Sequence, residues 1–194
     1  MRHRTLGLLL TGLLVASAAP AIAADIDFTY AFELGTGSTT SFIKGFQRGQ
    51  PITLQVKLKD TGFVYIVHEV ENGQYTLVHP RPEGKPSMAV TASEQLPPVK
   101  IIHVATAAEV ARLVLIVSRD RISELEGLLA KGEGKMPAHM ILDIRDKYYS
   151  PGLYTRDVRE DSVKVDYKTT ADKPAVVEEI SLRPRPTVPP KPKS

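Results

Sequence analysis

The chain reads as a mainly β protein, an antiparallel β-sandwich with one packed α-helix. Three observations lead there. Several short segments alternate apolar and polar residues with the period of two that belongs to a half-buried strand. Two further runs, 63–70 and 113–117, are apolar almost throughout, as strands buried on both faces are. Asn72-Gly73 stands between apolar runs, where two residues tolerant of positive φ form the tight turn of a hairpin.

The two ends stand apart from this body. Residues 1–23 have a positive start with Arg2 and Arg4, an apolar run over 6–19 and small residues before Ala24. That is the layout of a secretory signal peptide cleaved after Ala23, and the apolar run is short for a membrane span. Residues 183–194 hold five prolines and no acid, so they form a basic, disordered proline-rich tail that buries no core. Between them lies one domain, 24–182.

Composition limits the chemistry. The chain has no cysteine, so disulfides, thiolate metal sites, cysteine nucleophiles and a lipid-modified cysteine are all excluded. The net charge of +3 belongs to the ends. Six of the 25 basic residues lie in 1–23 and 183–194, which leaves 19 against 22 acids in the domain. A nucleic-acid partner is therefore not expected.

Within the domain, Ile26, Phe28, Tyr30, Phe32 and Leu34 alternate with polar or small residues and predict the first strand. The glycine-containing stretch 35–40 lacks the third glycine of a dinucleotide fingerprint and reads as a loop. Ile52, Leu54, Val56 and Leu58 share one face of a second strand, and 60–62 turns it into the hairpin of 63–79. The proline-rich segment 80–86 cannot keep ladder bonds and reads as a loop at the sheet end. Short strands follow at 88–91, 100–104 and 112–118. Asp120 is the expected cap of a helix with Ile122, Leu125, Leu128 and Leu129 on one stripe and Gly132 just past its end. Residues 132–137 read as a linker, 140–144 as either strand or helix, and 150–152 as a turn. Late strands are predicted at 162–168 and 176–182, with Glu178 marking the latter as an edge.

The runs 49–56, 60–67, 73–80, 95–97 and 113–118 together resemble the exported domain-of-unknown-function family 4384 (DUF4384), in order and spacing, with a family-like core over 46–131. The resemblance implies a compact secreted β-sandwich and no defined reaction or ligand. Val78-His79-Pro80-Arg81 stands where that family commonly has Phe-Pro-Asn.

Candidate site residues are few. A two-residue turn at Asn72-Gly73 pairs His68 with Leu77 and Ile66 with His79, which makes His68 and His79 diagonal neighbours on one face. With His103 they form a minority metal site; the plainer reading is one hydrogen-bonded and one half-buried histidine. Ser41 and Lys44 match the four-residue core of the serine penicillin-interacting enzymes, but the companion motifs are absent. Arg81 and Lys85 on the proline loop offer a binding surface, as do Tyr148, Tyr149, Tyr154 and Arg156 around the 150–152 turn. No cofactor motif occurs. The expectation is an exported, non-enzymatic binding or scaffolding module of the bacterial cell envelope, periplasmic or secreted, with a protein or polysaccharide partner. A metal-dependent or serine-type envelope hydrolase and an accessory subunit of a larger exported assembly are the alternatives.

Overall fold

The structure is a computed structural model that describes residues 26–34, 51–71, 73–91, 96, 99–102, 111–158, 162–168 and 173–182. The signal-like segment, the 35–40 loop, Ser41, Lys44, His103 and the proline-rich tail lie outside the described residues.

Two five-stranded antiparallel sheets face each other. The first has the order β5-β2-β1-β9-β8, built from β1 (Phe28–Leu34), β2 (Pro51–Leu58), β5 (Val99–Ile102), β8 (Leu153–Val158) and β9 (Ser162–Lys168). The second has the order β10-β6-β3-β4-β7, with β3 (Phe63–Glu71), β4 (Gln74–His79), β6 (Ala111–Ser118), β7 (Lys135–Pro137) and β10 (Ala175–Leu182). The inner faces bury the alternating residues expected of them: Phe28, Tyr30 and Phe32 of β1 and Leu54, Val56 and Leu58 of β2 meet Val64, Ile66, Leu113 and Leu115.

The two runs apolar on both faces occupy the middle of the second sheet, where β3 lies between β6 and β4. Their even residues on β3 face the first sheet, while Tyr65 and Val67 face outward into a second core. Two helices cover that outer side, where a single helix was expected. Helix α1 (Ser123–Lys131) contributes Leu125, Leu128 and Leu129, and helix α2 (Ala138–Tyr148) contributes Ile141 and Ile144. The sandwich therefore has three layers. Gly132 ends α1 at φ 71°, a left-handed conformation that glycine adopts without steric cost. Asp120 does not cap α1: Ile122 holds the N-cap position with extended backbone and no side-chain bond. The ambiguous 140–144 segment is helical because Ile141, Ile144 and Tyr148 recur at spacings of three and four.

The hairpin register differs from a simple two-residue turn. Glu71 pairs with Gln74 and Ile66 with His79, but between them Glu69 pairs with Tyr75, His68 with Thr76 and Val67 with Leu77. One extra residue on each strand, at Val70 and at Val78, shifts the ladder and then restores it. The shift turns Tyr75 and Leu77 toward the helices, next to Val67, and leaves Val70 half exposed. Burial of two large side chains outweighs continuity of the ladder. Four further expectations change. Residues 88–91 make only a bridge, Val90 to Gly62, and the supposed linker 132–137 contains β7, which pairs with Gln74, Tyr75 and Thr76. The 153–158 segment is a strand, and the segment expected at 100–104 begins one residue earlier, as β5. Gly62 sits where a Cβ would lie 2.8 Å from the Ser118 carbonyl oxygen, so the turn into β3 accepts no side chain.

Candidate functional site

The segment after β4 forms a fixed loop over one end of the sandwich. The His79-Pro80 peptide is cis, and Pro80, Pro82 and Pro86 keep the chain out of either sheet. The loop is tied at two of its residues, Val90 and Ser87. At its far end Val90 and Gly62 exchange backbone hydrogen bonds of 2.7 and 3.0 Å. In its middle the Ser87 amide donates to Glu126 Oε2 at 3.1 Å, and the Ser87 hydroxyl donates to Glu126 Oε1. On its outer side Arg121 Nη2 donates to the Ser87 carbonyl at 3.0 Å.

Tyr65 completes this latch from beneath. Its buried hydroxyl donates to Glu126 Oε1 at 2.7 Å and accepts the Ile122 amide at 3.2 Å. Burial, together with the Glu126 carboxylate, pushes the phenol up to about 12. Burial alone would raise Glu126 as well, but the hydrogen bonds from Ser87 and Tyr65 outweigh it and hold the carboxyl below its ordinary range. Loop, central strand and helix α1 are thus joined through one carboxylate.

Under the loop opens a cleft of about 600 Å³, lined in part by His79, Arg81, Lys85, Met88, Val90 and Leu96. Its floor is apolar, because Val90 and Leu96 belong to the core between the sheets. Its lip is charged, with Arg81, Lys85 and Glu83 all exposed. Met88 is 84% exposed, an unusual position for so large an apolar side chain. Burial lowers the His79 pKa, so the imidazole inside the cleft is neutral near pH 7. The structure therefore brings Arg81, Lys85 and His79 together.

The tyrosines do not form one loop. Tyr148 ends α2, and its hydroxyl is held 2.9 Å from Glu124 Oε2 and 3.0 Å from Ser123 Oγ, with the Lys147 ammonium 4.6 Å above its ring. It fastens α2 to α1. The Lys147 ammonium also lies 2.8 Å from Glu124 Oε1, and these contacts overcome burial to hold the Glu124 carboxyl down at about 2. Tyr149 packs on the helix-side core under the Arg145 guanidinium, 5.5 Å from its ring centre. Tyr154 and Arg156 instead lie on the exposed edge strand β8. Tyr154 stacks at 6.4 Å on its cross-strand partner Tyr167, which stacks at 5.1 Å on Phe28. Nearby, the Tyr30 hydroxyl donates to Glu178 Oε1 at 3.1 Å, and burial raises the Glu178 carboxyl.

His68 is buried opposite Thr76, and His79 lies opposite Ile66. Among the described residues no group of three or more His, Cys, Asp or Glu side chains converges as a metal site would require. The Ser87–Glu126–Tyr65 latch had no sequence signal, since its members are 22 to 61 positions apart. Comparison with protein-family models, with curated proteins and with solved structures finds no match to this chain.

Proposed function

We propose that this chain is an exported, non-enzymatic binding module of the bacterial cell envelope, and that the cleft beneath 80–90 is its contact surface. One observation supports this above others: a loop bearing two exposed cations and an exposed methionine is anchored to both a central strand and a helix. An anchored loop keeps its contact groups in place before the partner arrives, which lowers the ordering cost of binding. The resemblance to domain-of-unknown-function family 4384 implies export and a compact β-sandwich, with no defined reaction. Among the described residues no helix is long and apolar enough to cross a membrane.

Export is checked by N-terminal sequencing of the protein recovered from a periplasmic extract. The expected sequence begins at Ala24; an intact Met1 would contradict cleavage. The contact surface is checked by charge reversal. Arg81→Glu combined with Lys85→Glu is expected to lower recovery of the envelope partner at least about tenfold, as loss of charged hydrogen bonds does. Both positions are exposed, so folding should be unchanged. Undiminished recovery would remove the cleft from the reading.

A further inference from the structure

We infer that the cleft binds a single-chain amphiphile with an anionic head, such as a fatty acid or an alkyl phosphate. This rests on the cleft being the contact surface and adds the chemical class of its ligand. The lip and the floor ask for different chemistry. Among the described residues of the lip two cations, Arg81 and Lys85, stand against one acid, Glu83, so an anionic group is favoured there. Behind them Val90 and Leu96 offer an apolar wall continuous with the core between the sheets, and the exposed Met88 adds an apolar side chain to the cleft.

A peptide would meet that wall poorly, because every buried amide of a peptide needs a partner. Pro80 and Pro86 have no N–H to give. The Val90 amide already donates to Gly62, the Leu96 amide to Val56 at 3.1 Å, and the Glu83 amide to Arg81 at 2.9 Å. Burial lowers the His79 pKa further below neutrality, so the imidazole adds no charge to the cleft near pH 7. An alkyl chain has no hydrogen bonds to lose on such a surface. The volume, about 600 Å³, is that of an ordinary small-molecule pocket.

The test is isothermal titration of the full mature chain with decanoate, dodecanoate and tetradecanoate, each below its micelle concentration. Affinity is expected to rise about fourfold for each methylene that reaches the apolar wall. Dodecyl phosphate should bind like dodecanoate, and dodecyltrimethylammonium, with the same chain and the opposite charge, at least about tenfold more weakly. Met88→Asp, at an exposed position, should flatten the dependence on chain length without affecting folding. Arg81→Ala with Lys85→Ala should weaken all the anionic ligands alike.

Binding of a decamer of glutamate in place of dodecanoate would overturn the inference in favour of an acidic peptide. Flotation with phosphatidylglycerol vesicles, without binding of free dodecanoate, would overturn it in favour of a bilayer surface. If the alkanoates fail to bind while the charge-reversed variant still loses its envelope partner, the ligand class falls and the contact surface stands. If the charge reversal has no effect either, both fall.

Discussion

Truncation of Phe28 to alanine is expected to cost about 3–5 kcal/mol, the range found for aromatic deletions in protein cores. Phe28 is fully buried at the middle of the first sheet. Its ring stacks on Tyr167 at 5.1 Å and on Tyr30 at 6.2 Å, and its backbone lies between Leu58 and Tyr167. Both ring contacts would be lost together. With a total stability of about 5–15 kcal/mol usual for a domain, the variant should be close to unfolding at elevated temperature, with a melting temperature lower by roughly 10 °C. Tyr154→Ala is the internal control. It removes the last ring of the same row, but Tyr154 is 60% exposed, and its loss should cost under about 1 kcal/mol. Denaturant unfolding of the two variants measures the difference; equal costs would show that the row of rings does not run from core to edge as described.

The second large effect concerns the latch. Glu126→Ala removes the acceptor of hydrogen bonds from the Ser87 amide, the Ser87 hydroxyl and the Tyr65 hydroxyl. Ser87 is 1% exposed and Tyr65 is fully buried, so water does not readily replace the carboxylate. A cost of about 1–3 kcal/mol follows for the stranded groups. Loop 80–90 would then be held at Ser87 only by the Arg121 bond to its carbonyl and by the Tyr65 hydroxyl, so its middle should loosen. Faster hydrogen exchange at the Ser87 amide and weaker ligand binding at the cleft should appear together. The latch also depends on pH. The Glu126 carboxyl is held below its ordinary value of 4.5, so protonation favours the unfolded chain. Its contribution is complete above that value and is lost as pH falls through the lower folded value. Glu126→Gln, which cannot ionise, should abolish this part of the acid sensitivity. An acid profile identical to that of the wild type would contradict the role given to Glu126.

Much of the fold was legible because one physical rule, the alternation of buried and exposed residues, acts over short distances. Phe28, Tyr30 and Phe32 announced β1 in this way, and the unbroken apolar runs of β3 and β6 announced the middle of a sheet. Edge elements were harder to read. Strand β8 carries Leu153, Tyr154 and Val158 without the alternation of a half-buried strand, and β7 is three residues long. The hairpin turn was found at Gly73, with φ 75°, but its two bulges were not. Nothing local to Val70 or Val78 says that Tyr75 will face helices lying more than 45 residues further along the chain. The candidate site divides in the same manner. Arg81 and Lys85 were visible as charges on a proline loop, whereas the cleft behind them depends on Leu96 and Val90 joining the core. Tyr148, an exposed aromatic on sequence grounds, is a fastener because Glu124 and Ser123 stand one helix away.

A photocrosslinker locates the contact surface in place. Benzoylphenylalanine at Met88, an exposed position on the cleft, should yield a covalent mass adduct when the protein is irradiated in the intact envelope. The same probe at Lys57, exposed on β2 of the first sheet, should yield none. An adduct at Lys57 and none at Met88 would contradict the account.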